Sequence, residues 1–436
     1  MNATNISRQD CLALDQADAL RELKDQFDLP AGVIYLDGNS LGVLPRATLG
    51  RVQQVISQEW GQGLIKSWND AGWIDLPERI GNKIGRLIGA KPGETIVADS
   101  TSLNLYKVLS AALTLQRQAD PARTVIVSER SNFPTDLYIA QSLAQQHGAR
   151  LHLVDDVAEI PALLNQELAV LMLTHVNYRT GYQHDMAALT AATHAAGGLA
   201  VWDLAHSAGA VPVDLNAADA DFAIGCGYKY LNGGPGAPSF AWVNPRWADQ
   251  AQQPLVGWLG HAAPFQFSTD YQPAAGIKRF VCGTPALLSM SALECGVDTL
   301  LAAEQFGGMA ALRSKSVALT ELFIELAEAR CGELGVRLAS PREAQLRGSQ
   351  VCLSLAAPLE HAGYAVVQAL IARGVIGDFR AGDPQRLDAV PHILRFGFTP
   401  AYIGFTDVFD AIEHLREVLS TQQWQEPRFA QKGKVT

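Results

Sequence analysis

Residues 199–243 read LAVWDLAHSAGAVPVDLNAADADFAIGCGYKYLNGGPGAPSFAWV, and this stretch decides the fold. Its segments LAVWDLAH, FAIGCGYKYL and SFAWV begin as apolar runs that are too continuous for strands with one face in water. From about residue 95 onward, similar runs such as TVIVSE and LAVLMLTHV alternate with Ala- and Leu-rich helical segments. Buried strands separated by helices predict an α/β fold with a mainly parallel, doubly wound sheet.

The C-terminal part of the chain predicts a smaller unit. One long helix is expected from about Met309 to Leu326. Strand-like VCLSLAA and HILRFGF follow it, together with helical YAVVQALIARGV and FTDVFDAIEHLREVLS, a pattern typical of a small α+β domain. We therefore expect an N-terminal arm at residues 1–60, a large domain at 61–305 and a C-terminal domain at 306–436.

The composition excludes several classes of function. The 436 residues carry a net charge of −10, which argues against nucleic acid as a partner. The longest apolar run, residues 168–176, has about half the length of a membrane-spanning helix, so no membrane partner is expected. The six cysteines include no C-x-x-C pair and suggest neither a metal site nor disulfides. Because the N-terminus also lacks the pattern of a signal peptide, we expect a cytoplasmic protein.

Lys229 is the first candidate for chemistry, because it follows an apolar strand and precedes the glycine-dense turn NGGPG. A lysine in this position is expected to be poorly solvated, and a desolvated amine is a usable nucleophile. Such an amine suits a carbonyl cofactor such as pyridoxal phosphate. The alternative is a lysine that simply extends from a strand end to water, and for a lysine in isolation this alternative is the better one.

Asp203 and His206 end the preceding strand. A carboxylate there can pair with a protonated pyridine nitrogen and keep the ring an electron sink. The alternative for Asp203 is a helix N-cap. His206 is expected near the same ring, although a single histidine is more often a structural hydrogen-bonding group.

The segment DSTSLNLYK is a candidate phosphate site. Thr101 and Ser102 precede a helix expected from Leu103, and helix N-terminal amides with hydroxyl groups bind dianions. The phenol of Tyr228 is a further candidate for this site. An ordinary Ser/Thr helix cap explains the same pattern and is the commoner case. The sequence contains no phosphate-binding P-loop motif, which weakens nucleotide binding as an explanation.

Two further segments carry candidates for ligand contacts. SNFPTDLYIAQ places Phe133 and Asp136 after the strand TVIVSE, where an aromatic ring can stack on a planar ligand, although most such aromatics are core residues. Arg395 lies in the apolar segment HILRFGF. A buried guanidinium needs an anion, and either a substrate carboxylate or an internal salt bridge would satisfy it.

Together these segments resemble the kynureninase family, pyridoxal phosphate enzymes with the aspartate aminotransferase-like fold, also called PLP fold type I. The similarity covers most of the chain and runs through YLDGNSLGVLP, KSWNDAGW, DSTSLNLYK, SNFPTDLYIAQ, HVNYRTGYQHD, VWDLAHSAGAVPVDL, GCGYKYLNGGPGAPSF, VGWLGH, IKRFVCGTPAL and LRFGFTP. FPTDLYIAQ and D-x-A-H-x-x-G with GYKYLNGGPG are the most specific motifs. The lysine and its upstream aspartate alone indicate only the wider fold, which also contains cysteine desulfurases and aminotransferases.

The resemblance implies a role for each candidate residue. Lys229, Tyr228 and Asp203 are the implied catalytic residues, with Lys229 bound covalently to pyridoxal phosphate in the large domain. The implied cofactor contacts are Thr101, Ser102 and Tyr228 at the phosphate, Phe133 on the ring face, Asp203 at the pyridine nitrogen, and Asp136 and His206 beside them. Trp258 and Thr284 are implied to reach the cofactor from the other subunit of a homodimer. Arg395 is implied to bind the substrate's α-carboxylate, and Trp68 to shape the pocket for its aryl group.

The implied activity is hydrolysis of L-kynurenine, with 3-hydroxy-L-kynurenine as a second candidate substrate, to anthranilate and L-alanine by cleavage of the Cβ–Cγ bond. This reaction belongs to tryptophan degradation and NAD biosynthesis. A cysteine desulfurase or selenocysteine lyase is the alternative within the fold, but it needs an exposed thiol of low pKa. Cys226, Cys282 and Cys352 all lie in apolar segments. A non-catalytic α/β binding protein is the alternative from another class, and the presence of Lys229 argues against it.

Overall fold

The computed structural model describes residues 6–433 and divides the chain into two compact units. The large unit comprises Ala47–Tyr178 and His184–Leu301, and the small unit comprises the residues up to Arg46, Arg179–Gln183 and the residues from Ala302. Residues 6–46 thus group with the C-terminal segment, whereas the predicted division has a separate arm at 1–60. The predicted domain boundaries stay a prediction, and their outermost residues, 1–5 and 434–436, lie outside the described residues.

The elements follow the predicted alternation of strands and helices. The strands are β1 (Ile34–Tyr35), β2 (Thr95–Ala98), β3 (Val125–Glu129), β4 (Arg150–Val154), β5 (Leu168–Thr174), β6 (Leu199–Asp203), β7 (Phe222–Gly225), β8 (Ser239–Val243), β9 (Val336–Leu338), β10 (Gln350–Leu355), β11 (Val375–Ile376), β12 (Asp378–Arg380) and β13 (Ile393–Gly397). The α-helices are α1 (Arg8–Ala17), α2 (Arg46–Gln54), α3 (Ser67–Asp70), α4 (Leu76–Leu87), α5 (Thr101–Ala119), α6 (Pro134–His147), α7 (Ile160–Leu163), α8 (Met186–Ala195), α9 (Pro245–Ala248), α10 (Leu287–Leu301), α11 (Gly308–Cys331), α12 (Gly363–Ala372) and α13 (Phe405–Ser420). Short 3₁₀ turns and one π-helical segment, Val55–Gly63, lie between them. Within residues 6–433, no helix combines the length and apolar character needed to cross a lipid bilayer.

A seven-stranded sheet forms the centre of the large unit. Its strand order is β2-β8-β7-β6-β5-β3-β4, and β8 runs antiparallel to both of its neighbours while the other pairs are parallel. Every residue of β2, β5, β6, β7 and β8 is buried, so both faces of these strands are covered. The predicted α/β fold with a mainly parallel sheet is confirmed.

The register of the sheet brings three strand ends together. Thr174, the last residue of β5, is paired with Asp203 at the end of β6, and Asp203 is paired with Ile224 of β7. The parallel strands therefore end side by side, where ligands bind in sheets of this kind.

The loop between β7 and β8 carries Lys229 and is closed by its own backbone. The amide of Gly233 donates to the carbonyl of Gly227 at 2.9 Å, and the amide of Asn232 donates to the carbonyl of Lys229 at 2.9 Å. A Cβ atom at Gly227 would lie 2.3 Å from the carbonyl oxygen of Pro238, so this position accepts only glycine. The loop is thus attached to the sheet at both ends.

The small unit contains a four-stranded antiparallel sheet in the order β12-β13-β10-β9 and a parallel pair of β1 with β11. Its helix α11 includes the predicted helix at 309–326 and extends beyond it at both ends. Helix α13 is capped by a distant side chain, since the carboxylate of Asp15 accepts from the amides of Phe405 and Thr406 at 2.6 and 3.0 Å. The predicted α+β character of this region is confirmed.

Candidate active site

A cavity enclosing about 480 Å³, partly open to solvent, lies at the strand ends of the large unit. Its lining comprises Thr101, Ser102, Phe133, Thr135, Asp136, Thr174, Tyr178, Asp203, Ala205, His206, Cys226, Tyr228 and Lys229. Eight of the residues that the sequence predicts for the site line this one cavity, although they come from four different loops and helix starts. The predicted residues therefore face one common space at the strand ends.

The amine of Lys229 lies in this cavity among aromatic and basic groups. Its Nζ atom is 3.0 Å from Nε2 of His206, 5.8 Å from the ring centre of Phe133 and 5.7 Å from that of Tyr228. The side chain is half-buried and does not simply extend to water. His206 is therefore placed to hold the amine in position by a hydrogen bond.

Asp203 and Asp136 form a buried pair of carboxyl groups beside the lysine. Burial and the neighbouring Asp203 carboxylate raise the pKa of Asp136 well above its ordinary value. Burial also raises the pKa of Asp203, but the Lys229 amine and the amide of Ala205, which donates to Asp203 at 2.7 Å, oppose that rise. The pair therefore holds a proton on Asp136 and leaves Asp203 as the anion. Asp203 caps no helix, contrary to the alternative interpretation of its position.

Helix α5 starts two residues earlier than expected, and the expectation of a start at Leu103 is wrong. Ser100 is the N-cap, and its hydroxyl accepts from the amide of Leu103 at 3.4 Å. Because Ser100 supplies the cap, Thr101 and Ser102 occupy the first turn and line the cavity instead. Helix N-terminal amides and two hydroxyl groups thus face the same space as Lys229, an arrangement that suits an anionic group.

The lining of the cavity has the groups that a planar, anionic carbonyl compound needs. It offers an amine, an aromatic face at Phe133, a carboxylate at Asp203 and a helix N-terminus with hydroxyl groups. Asp136 Oδ2 is buried with no hydrogen-bond partner among the described residues, although Asp136 lines the cavity. A buried, unpartnered polar atom is rare in a folded protein and is explained when a ligand completes its bonding. The donor set fits such a ligand.

Three predicted site residues of the large unit do not line this cavity. Trp68 packs edge-to-face against Trp73 and Trp258, with ring centres 6.2 and 6.4 Å apart. Trp258 is 36% exposed, and Thr284 is exposed in a second cavity that also includes Asp99. The structure therefore joins Trp68 to Trp258 but places neither of them, nor Thr284, beside Lys229 of the same chain.

Arg395 lies in the small unit, on β13, with only 1% of its side chain exposed. Its Nη2 atom donates to the carboxylate of Asp378 and, at 2.7 Å, to the hydroxyl of Ser40. With the Asn39 amide oriented so that its oxygen accepts, Arg395 Nε donates to it at 3.1 Å. The sequence left open whether a substrate carboxylate or an internal salt bridge satisfies this guanidinium, and the structure contains the internal salt bridge, to Asp378.

Sequence reasoning missed several residues of the cavity, among them Thr174 and Tyr178. Thr174 ends β5 next to Asp203, and its position after an apolar run was a usable signal. Tyr178 packs edge-to-face on Phe133, with ring centres 5.3 Å apart. Its contact depends on the path of the loop after β5, for which the sequence carries no periodic signal.

Comparison with known sequences identifies close relatives of the chain. A kynureninase from Pseudomonas fluorescens is 55% identical over 433 residues, which cover 99% of this chain and 100% of that protein. A kynureninase from Burkholderia pseudomallei strain 1106a is 54% identical over 433 residues with the same coverage. The family described as the kynureninase C-terminal domain matches residues 312–415.

Comparison with solved structures shows the fold. A cysteine desulfurase from Thermococcus onnurineus NA1 superposes with a TM-score of 0.74 at 20% identity, covering 92% of this chain and 98% of that one. A cystine C-S lyase in complex with cysteine persulfide gives a TM-score of 0.72 at 17% identity, covering 89% and 98%. At such low identity the likeness concerns the backbone architecture alone.

Proposed function

The chain belongs to the kynureninase family, and from this premise we propose that it hydrolyses L-kynurenine to anthranilate and L-alanine with pyridoxal phosphate as cofactor. The observation that carries the proposal is the position of the Lys229 amine, in one cavity with the carboxylate of Asp203 and the start of helix α5. The reaction would be cleavage of the Cβ–Cγ bond, as part of tryptophan degradation and NAD biosynthesis.

The cavity supplies a matching group for each part of pyridoxal phosphate. Lys229 would bind its aldehyde carbon covalently, and Asp203 would pair with its ring nitrogen. Phe133 would cover one ring face, while Thr101 and Ser102 would hold the phosphate with the N-terminal amides of α5. Once bound, the cofactor supplies an electron sink for the bond cleavage.

The protein's own residues would move and hold the protons. The Lys229 amine, positioned by the hydrogen bond to His206, would take the proton from the substrate's Cα. Asp203, kept ionised while its partner Asp136 holds a proton, would keep the ring nitrogen protonated. Tyr228 would donate a proton at the γ-oxygen or at Cβ as the bond breaks.

The substrate would be bound by Arg395 and Trp68 in addition to the cavity. We assign Arg395 to the α-carboxylate, because a buried guanidinium on a rigid strand is a suitable partner for it. Trp68, packed against Trp73, would contribute an aromatic wall for the aryl group. 3-Hydroxy-L-kynurenine remains a second candidate substrate.

The functional unit would be a homodimer with shared cofactor sites. Exposed apolar side chains support this part of the proposal, because monomeric proteins rarely expose large apolar patches. They include Leu64, Ile65, Trp258, Phe265 and Phe267. In the dimer, Trp258 and Thr284 would reach the cofactor of the other subunit.

All six cysteines are free thiols, which supports a reducing compartment such as the cytoplasm.

The desulfurase alternative is not favoured, because none of the three cysteines considered for it is a suitable thiol. Cys226 and Cys352 are fully buried, and burial raises the pKa of both thiols. Cys282 is half-buried, and burial raises its pKa as well. A mobile thiolate nucleophile needs the opposite environment.

The test is turnover of L-kynurenine by the purified protein loaded with pyridoxal phosphate. We expect visible absorbance that borohydride bleaches, and release of anthranilate followed by its fluorescence. Lys229→Ala should lower kcat by roughly a thousandfold or more, whereas the control Lys91→Ala, at an exposed lysine, should not change it. Sulfide from L-cysteine without anthranilate from L-kynurenine would instead support the desulfurase activity.

A further inference from the structure

Two guanidinium groups share one carboxylate in the small unit. Asp378 Oδ2 accepts from Nη2 of Arg395 and from Nη2 of Arg380. Arg395 and Asp378 are almost completely buried, while Arg380 is 35% exposed. We call Arg380, Arg395, Asp378 and the nearby Asp37 the arginine cluster.

Within the arginine cluster, Asp37 is linked to Arg395 through Asn39. The Asn39 amide nitrogen donates to Asp37 Oδ1 at 3.3 Å, while its oxygen accepts from Arg395 Nε at 3.1 Å. The backbone brings these residues together, because Asp37 forms a parallel β-bridge with Gly397, two residues after Arg395. A change of charge on Asp37 is therefore felt at the Arg395 guanidinium.

The surroundings of Asp37 hold both signs of charge. The charged and titratable groups that face it are Asp378 and Arg380 on β12, Arg395 on β13 and Tyr35 on β1, and the Cys352 thiol on β10 is paired across the sheet with Arg395. Burial and the Asp378 carboxylate raise the pKa of Asp37 to about 7, although Arg395 and the Ser40 hydroxyl oppose the rise. Burial raises the pKa of Tyr35 and of Cys352, so both stay neutral near pH 7.

The charge count of the cluster depends on Asp37. Two guanidinium groups and the Asp378 carboxylate leave one positive charge when Asp37 is neutral. When Asp37 is ionised, its negative charge balances the second guanidinium from within the protein. An incoming carboxylate is then attracted less strongly.

We propose that Asp37 is a positioning residue that controls how strongly the arginine cluster binds the α-carboxylate of the substrate. The inference rests on the proposed function, in which Arg395 binds this carboxylate. Ionised Asp37 competes electrostatically with the substrate for the same positive charge, and neutral Asp37 leaves that charge to the substrate. Substrate binding therefore weakens as pH rises through the range in which Asp37 loses its proton, while the chemical step is unaffected.

The experiment compares the pH dependence of KM and of kcat for L-kynurenine between the wild-type protein and Asp37→Asn. We expect the wild-type KM to rise about fivefold between pH 6 and pH 8.5, a range typical of one added charge near a binding site. In Asp37→Asn the KM should stay at the low-pH value throughout, with kcat matching the wild type at each pH. Identical KM profiles in the two proteins, or an effect on kcat alone, would overturn the inference.

Controls separate this inference from the proposed function. Absence of anthranilate release by the wild-type protein refutes the proposed function itself, whereas release with unchanged KM profiles refutes only the role of Asp37. Asp383→Asn changes a carboxylate at the surface of the same unit and should retain the wild-type KM profile. The affinity for L-alanine, measured by calorimetry, should weaken as pH rises in the wild-type protein and should stay constant in Asp37→Asn. Asp37→Ser, checked by thermal unfolding, repeats the comparison without an amide at position 37.

Discussion

Asp136 illustrates how the pKa of one buried side chain affects the stability of the fold. Its raised pKa means that the folded protein keeps this carboxyl protonated at pH values where the unfolded chain, with the ordinary pKa of 3.8, has released the proton. As pH rises above 3.8, the unfolded state gains stability relative to the folded state, because the carboxyl of Asp136 ionises freely only in the unfolded chain. The raised pKa of Asp136 thus lowers the free energy of unfolding at neutral pH, and this effect is absent in acid.

We predict that Asp136→Asn makes the cofactor-free protein more stable than the wild type at pH 8, by about 1 kcal/mol. The amide keeps the size of the side chain and cannot ionise, so the difference should shrink toward pH 4. Urea unfolding at the two pH values measures it. Asp70→Asn, at an exposed carboxylate, is the matched control and should leave the unfolding free energy unchanged at both. A variant less stable than the wild type at pH 8 would contradict this account.

At the level of single residues, the sequence was sufficient for most of the cavity lining. Lys229, Asp203 and Phe133 each follow an apolar run, and the rule that parallel strands end at one edge places them together. The partner of Arg395 was not predictable in the same way. Asp378 meets it because β12 and β13 pair in one particular register, and register is set by packing and turn geometry across the whole small unit.

Among the elements, helix α13 shows a stabilising contact that no local pattern reveals. Its first amides bond to Asp15, which lies within α1 and about 390 residues from α13 along the chain. The Thr406 hydroxyl also donates to this carboxylate, at 2.6 Å. A helix N-terminus normally finds its cap in the residue just before it, so the sequence near Phe405 could not indicate this one.

Replacing Asp15 by alanine should lower the free energy of unfolding by about 1–2 kcal/mol, the usual cost of losing an N-cap with several bonds. Urea unfolding followed by far-UV circular dichroism measures the loss. Asp388→Ala removes an exposed carboxylate of the same unit and should leave the midpoint where it is. Equal midpoints for Asp15→Ala and the wild type would show that the cap contributes nothing.

The direction of strand β8 could not be predicted from the pattern of apolar residues. The run SFAWV was predicted as a buried strand and is one, but it is antiparallel to its neighbours. A continuously apolar strand has no alternation from which its direction can be read. The β7–β8 connection, residues 226–238, contains the glycine-dense turn NGGPG and no helix, so it provides no helical crossover to a parallel strand.

For the molecule as a whole, the proposed sharing of sites between two subunits makes a quantitative prediction. We expect two inactive variants, Lys229→Ala and Trp258→Ala combined with Thr284→Ala, to regain activity when their subunits are mixed after unfolding and refolding together. A heterodimer would have one site with both defects and one intact site. With random pairing, activity should recover to about one quarter of the wild type.

Each variant refolded alone is the control and should stay inactive. Sedimentation velocity confirms that the mixed sample contains dimers. Refolded mixtures with no more activity than the separate variants, in dimers of normal size, would show that each subunit completes its own site.

The closed loop between β7 and β8 has a consequence for motion during turnover. Both ends of the loop are held by the sheet, two of its amides are bonded within it, and Gly227 lies close to the carbonyl oxygen of Pro238. We therefore expect the peptide at residue 229 to move little, so that displacement of the amine in the proposed reaction would fall on the rotatable bonds of one aliphatic side chain. Such rotations take picoseconds to nanoseconds. We therefore expect the slow steps of the proposed cycle to lie in bond making, in substrate entry or in product departure.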